Sequence, residues 1–110
     1  MLVTTTENII GYRVTKVYGQ VFGVLVRSRG VAGNFMASLR TIVGGEIKEY
    51  SNMLEEARRH ATDRMVKNAA TMGANAVVMM RFDSSEMGQT MCEIVAYGTA
   101  VQIEPVAGAI

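Results

Sequence analysis

The chain has no tryptophan, one proline, one histidine and one cysteine among its 110 residues. Each scarcity excludes something. A single thiol, Cys92, closes no internal disulfide, which fits a reducing compartment. One imidazole, His60, beside one thiol falls short of the several nitrogen and sulfur ligands that a zinc site takes within one subunit. Charge of one sign is also lacking: eleven Lys and Arg stand against ten Asp and Glu, a net +1. Without a basic stripe or aromatics interleaved with basic residues, nucleic acid is not an expected partner. No apolar run approaches the roughly 18 residues of a membrane span, and residues 1–8 lack the basic and apolar regions of a secretory signal. These absences describe a cytoplasmic protein with neither membrane nor nucleic acid among its partners.

What is present is apolar and small. Almost half the residues are hydrophobic, carried by Val, Ala, Ile and nine Met, with aromatics at only 6%. Methionine fills irregular gaps without acting as a large anchor. A single domain of this length has a thin core, so part of this apolar content is expected to be covered by other subunits. One domain over residues 1–110 is expected, with its core at about 3–103 and a loose tail at 104–110.

The order of elements is legible. Over residues 12–28, Tyr12, Val14 and the Lys16 stem alternate with Arg13, Thr15 and Val17 at a strand period. Gly19 and Gly23 interrupt that run, as glycines do at a bulge, a bend or a close backbone approach. One bent strand or two short ones are expected, with residues 4–6 as a further short edge strand. Asn34 is placed to cap a short helix over residues 35–43, which Gly44-Gly45 ends as an elbow. A long helix begins near residues 46–51 and stops at Gly73. Its apolar stripe takes in Tyr50, Met53, Leu54, Ala57, Ala61, Met65, Ala69 and Met72. The wet face pairs Glu55 with Arg59, Glu56 with His60, Arg59 with Asp63 and Asp63 with Lys67 at i,i+4. Residues 76–82 are apolar on both parities, the pattern of a strand covered on two faces. Residues 84–89 read as a polar loop, and 91–103 as a last strand with a bend at Gly98, so the two strands make a hairpin. The expected fold is α+β, order β-β-α-α-β-β: a small antiparallel sheet packed on a short helix and one long helix.

Chemistry is sparse. His60 beside Glu56 on a charged helix face reads as a solvated surface histidine, and Cys92, between Met91 and Glu93 on a strand, as a structural thiol. Met79, Met80, Met87 and Met91 lie near one hairpin with Cys92, and thioethers with a thiolate suit monovalent copper. Adjacent Met79 and Met80 point to opposite faces of a strand, however, which favours packing over a one-chain metal site. Gly19, Gly23, Gly30 and Gly33 lack the spacing of a phosphate-binding loop, and Gly44-Gly45 is followed by Glu46-Ile47 rather than Lys-Ser or Lys-Thr. Asp83, Glu86 and Glu93 flank the hairpin, where acids are usually solvated. No residue is assigned a catalytic role. Cofactor-binding residues and metal ligands stay unknown.

Two stretches carry a resemblance: Phe35-Met-Ala-Ser-Leu-Arg-Thr-Ile-Val-Gly-Gly-Glu-Ile-Lys-Glu-Tyr50 and Ala69-Ala-Thr-Met-Gly-Ala-Asn-Ala-Val-Val78. With Gly19-Gln-Val-Phe-Gly23 and Tyr97-Gly-Thr-Ala-Val101 in the same order and spacing, the chain resembles the YbjQ-like family over residues 3–103. The resemblance implies a small α+β subunit that assembles through its sheet into a ring, a homopentamer, and it brings the label of heavy-metal binding. Three functions follow as expectations. The leading one is a non-enzymatic homo-oligomer holding a metal ion or small molecule at subunit interfaces or in a central pore. The others are a structural or protein-interaction module without ligand, and an enzyme whose site is shared between subunits.

Overall fold

The computed structural model describes residues 1–28, 48–87 and 91–107. Among them the elements are β1 (Leu2–Val3), β2 (Tyr12–Ser28), α1 (Lys48–Met72), β3 (Ala76–Met87) and β4 (Met91–Pro105). The strands form one sheet in the order β1-β3-β4-β2. β1 is parallel to β3, and the other pairings are antiparallel. The described order is therefore β-β-α-β-β in a mixed sheet, with one helix. This corrects the expected β-β-α-α-β-β order and the expected antiparallel sheet. A parallel pair needs a long crossover, and here β2 and α1 lie in the chain between β1 and β3. The short helix expected over residues 35–43, its Asn34 cap and the Gly44-Gly45 elbow lie outside the described residues.

Residues 12–28 form one strand. β2 sets 17 residues against the 15 of β4, from Tyr12 opposite Pro105 to Ser28 opposite Met91. The two surplus residues are bulges: the register shifts between Val14 and Lys16 and again between Val17 and Gly19, leaving Thr15 and Tyr18 without a ladder partner. The simple alternation expected from the sequence fails there for this reason. Val14 opposite Ile103 and Val17 opposite Val101 share one face, while Lys16 opposite Gln102 takes the other.

The first strand is Leu2–Val3 rather than residues 4–6. The latter pass beside β3, where Thr4 N–H donates to Val77 O at 2.9 Å and Met79 N–H to Thr6 O at 3.1 Å. β3 is irregular at this place. Its pairing with β4 slips between Val78 and Arg81, and Met79 has φ 56°. The expected polar loop at 84–89 is also corrected, since Ser84 to Glu86 continue β3 opposite Ile94 to Cys92. Ladder pairing with β4 holds these polar residues extended whatever their own preference.

Helix α1 covers one face of the sheet with small side chains. Ala57, Ala61, Met65 and Ala69 are buried against Val21, Leu25 and Val77, among others. Leu54 and Met72, expected in the stripe, are instead exposed. A ridge made mostly of alanine lets the helix come very close to the strands. At Gly23 a Cβ would sit 2.0 Å from Ala61 O and 2.3 Å from Met65 N, so the close approach anticipated for a strand glycine is that of the helix backbone. The helix ends as the glycine foretold. Gly73 has φ 97°, its N–H donates to Ala70 O at 3.0 Å, and Ala74 N–H reaches Ala69 O at 3.1 Å, the paired bonds of a Schellman cap.

On the opposite face a smaller cluster of Ala76, Val78, Val101 and Ile103 packs beneath Ile9. The start of β3 is thus covered on both faces, as its continuous apolar run requires. Between the helix and this strand, Asn75 acts as an extra rung of the sheet: its Nδ2 donates to Ile103 O at 2.9 Å, and its Oδ1 accepts from Ile103 N–H at 2.7 Å.

Candidate functional site

The most distinctive surface is the part of the sheet that neither α1 nor the Ile9 segment covers. Cross-strand partners share a face, and Val21 and Leu25 are turned into the α1 core, so the residues between them point away from the helix. Three rows cross this open face. Phe22, Tyr97 and Arg81 make the first, Val24, Val95 and Asp83 the second, and Val26, Glu93 and Ser85 the third. The rows are apolar on β2 and polar on β3. Phe22, Val24 and Val26 are 48%, 42% and 47% exposed. Farther along β2, Tyr12, Val14 and Val17 lie on the same face, kept there by the two bulges, and they are exposed as well.

The free edge of β2 has other partners. Arg64 Nη1 donates to Val24 O at 2.7 Å and Asn68 Nδ2 to Phe22 O at 2.8 Å. Side chains from two successive turns of α1 thereby occupy edge carbonyls that another strand would need. Arg81 is fixed too, its Nη1 donating to Thr5 O at 2.9 Å and Met80 O at 2.8 Å. Sequence reasoning singled out none of Arg64, Asn68 or Asn75. Arg64 and Asn68 stand at i,i+4 beside the buried Ala61–Met65 ridge, a signal for polar groups that reach from a helix margin to its neighbour.

The residues singled out for chemistry do not converge. His60 Nε2 lies 3.9 Å from Glu56 Oε1 with both side chains well exposed, the place of a surface histidine. Cys92 is half-buried in a row with Arg27 and Glu86, on the helix side of the sheet. Asp83 and Glu93 are diagonal neighbours on the open face, one row apart, whereas Glu86 belongs to the other face. Met80 is buried under α1 and Met79 is exposed beside the bulge. Met79 and Met91 are separated by most of the length of β3, roughly 26 Å at the strand rise, because Met91 pairs with Met87 at the far end. Among the described residues no group of three or more His, Cys, Asp or Glu could hold a metal ion. Gly19 marks the second bulge and Gly23 the helix contact; Gly30, Gly33, Gly44 and Gly45 lie outside the described residues. Gly98, expected as a bend, faces the irregular part of β3, where a Cβ would meet Val77 Cγ1 at 2.7 Å. No helix is long and apolar enough to cross a membrane among the described residues.

A family model described as "Putative heavy-metal-binding" matches residues 1–104. The chain is 72% identical over 105 residues to a UPF0145 protein of Bradyrhizobium sp. (strain ORS 278), covering 96% of this chain and 95% of that one. It is 57% identical over 103 residues to a UPF0145 protein of Saccharolobus islandicus, covering 94% and 90%. With a UPF0145 protein of Methanocella arvoryzae the identity is 53% over 105 residues, covering 96% and 88%. A crystal structure of a DUF74-family protein from Pediococcus pentosaceus matches with a TM-score of 0.62, covering 94% of this chain and 98% of that one. At 16% identity that likeness concerns the fold alone.

Proposed function

The chain belongs to the YbjQ family, and from that premise we propose that it is the subunit of a cytoplasmic homo-oligomer, a homopentameric ring, that holds a metal ion or small molecule where subunits meet. The observation that carries the proposal is the pairing of a family description naming heavy metals with a subunit whose described residues gather no three metal-ligating side chains in one place. Ligands supplied by several copies reconcile the two. Repeated around a ring, one weak donor per subunit becomes a symmetric set, and soft donors such as thioether and thiolate favour copper or zinc over magnesium or calcium. The lone thiol supports the reducing compartment.

Native mass spectrometry with elemental analysis tests both parts. The expected result is a five-subunit assembly retaining metal in a fixed ratio. A monomer at micromolar concentration would sink the ring. Metal-stripped protein with no affinity for copper, zinc or nickel would remove the metal ion and leave a small molecule as the ligand. An assembly that retains neither would instead make it a structural module.

A further inference from the structure

We propose that the outer edge of β3 at residues 82–84 is a docking site for an extended, cationic segment of another protein, which adds to the sheet as a further strand. The inference goes beyond the oligomeric reading above and does not depend on it.

Hydrogen-bond parity is the first ground. Along an antiparallel ladder each residue turns both its N–H and its C=O to one side. Phe22 and Val24 turn outward, where their carbonyls accept from Asn68 and Arg64. Their β4 partners Tyr97 and Val95 therefore turn toward β3 and bond Arg81 and Asp83. Phe82 and Ser84, one step out of phase, direct their N–H and C=O groups away from β4. Met80 shows the same parity two residues earlier, its N–H donating to Thr4 O at 2.9 Å. None of the backbone bonds to the N-terminal segment reaches beyond Met80. Proline, lysine and bulges are what close a strand edge. Residues 82–86 contain neither residue type, are all exposed, and pair with β4 without a register shift.

Charge is the second ground, and it selects the occupant. Asp83 lies on the open face with Glu93 diagonal to it, and neither carboxylate has a cationic partner among the described residues. Arg81, the nearest cation along the strand, is drawn to the backbone oxygens of Thr5 and Met80. A lysine or arginine opposite Asp83 on an added strand supplies the missing charge. On the helix side Phe82 is exposed, with Arg58 Cζ 5.5 Å from its ring centroid, so the next position of the added strand meets an apolar ring. In strand addition the main chain gives affinity and alternate side chains give specificity. This edge therefore selects a segment in which basic and apolar residues alternate. A second copy does not meet the demand. Its own β3 edge would bring Asp83 toward Asp83, and Arg64 and Asn68 fill the carbonyls at the middle of its β2 edge.

The probe is a short labelled peptide of alternating valine and lysine, titrated against the full chain by fluorescence anisotropy. Its N-methylated form and a counterpart with glutamate in place of lysine serve as controls. Ser84→Pro removes one outward N–H without touching a bond to β4, and proline is tolerated at such an edge position. The expected result is binding of the valine–lysine peptide to the wild type, weakened about tenfold or more by N-methylation or by Ser84→Pro. Asp83→Lys should transfer the preference to the glutamate counterpart. No binding by the wild type would overturn the proposal. Undiminished binding by Ser84→Pro, or of the N-methylated peptide, would reveal plain charge attraction and overturn it equally. If circular dichroism shows Ser84→Pro unfolded, amide exchange of the wild type decides. The peptide should slow exchange at Phe82 and Ser84 and leave Val24 unchanged; slowing at Val24 instead would overturn the assignment. Phe82 and Ser84 amides protected in concentrated protein alone and released on dilution would overturn it in favour of a second copy.

Discussion

Gly23 has no side chain because the backbone of the helix stands where one would go. A Cβ there meets Ala61 O and Met65 N at 2.0 and 2.3 Å, and main-chain atoms of a helix cannot step aside singly. Gly23→Ala should therefore lift α1 off the sheet and cost about 3 kcal/mol, the upper part of the range for overpacking. Thermal denaturation measures it, and an unchanged midpoint would mean that the helix is not seated on this residue. Asn75 lies just past the C-terminal end of the helix. Its side chain supplies both a donor and an acceptor to Ile103, so Asn75→Leu leaves two backbone groups without partners. A loss of about 1–3 kcal/mol is expected, read in urea as a lower midpoint with an unchanged slope. The Arg13–Glu104 pair joins the strand ends through Arg13 Nε and Nη2, but both side chains lie in water. Glu104→Gln should therefore shift stability by less than about 1 kcal/mol. A larger loss would show that this end of the sheet is dry in the working protein.

At the scale of elements, legibility followed the strength of local signals. Gly73 ended the long helix as its sequence foretold, because a left-handed cap needs a residue without Cβ. Residues 76–82 declared a doubly covered strand, and the double cover is there at Ala76 to Val78 but not beyond, where Met79, Arg81 and Phe82 are exposed. Other features were set by partners rather than by the residues themselves. Leu2–Val3 is too short to show a period, and Ser84 to Glu86 are extended only because β4 runs beside them. The stripe of α1 was overestimated at Leu54 and Met72, since an alanine ridge on a flat sheet touches along a narrower line than a large-residue stripe in a bundle. Met65, fully buried, is the one long side chain at the middle of that ridge. Met65→Ala should cost about 2–5 kcal/mol. A smaller effect in calorimetry would indicate that the flanking side chains collapse into the space.

For the whole molecule, the sequence offered a family and an excess of apolar residues, but not where the excess lies. Placement required knowing the bulges. Read as plain alternation, Val14 and Val17 fall on opposite faces and the open face looks mixed. With Thr15 and Tyr18 set aside, it is apolar from Tyr12 to Val26 apart from Gln20. Site chemistry was the least legible, and for a physical reason: a single subunit brings Asp83, Glu93 and Met91 onto one face but sends Glu86, Cys92 and Met80 to the other. Subunit mixing offers a check on the assembled state. If copies assemble as proposed, two isotopically distinct preparations should exchange them slowly above the dissociation concentration of the assembly and quickly below it. Absence of any mixed species after complete dissociation and reassociation would argue against a single equivalent interface.

The bulges in β2 also govern which edits to the gene the fold would tolerate. Removing Thr15 takes away a residue that the chain counts and the ladder does not, so Val14 and Lys16 keep the partners they have and the strand simply becomes straighter. Removing Val24, a ladder residue opposite Val95 in the stretch without a bulge, either turns Val26 and Arg27 over or, if the Tyr18 bulge absorbs the gap, turns Phe22 toward the helix and Gly23 away from it. Two single-residue deletions in the same strand should thus differ as silence differs from loss of the fold.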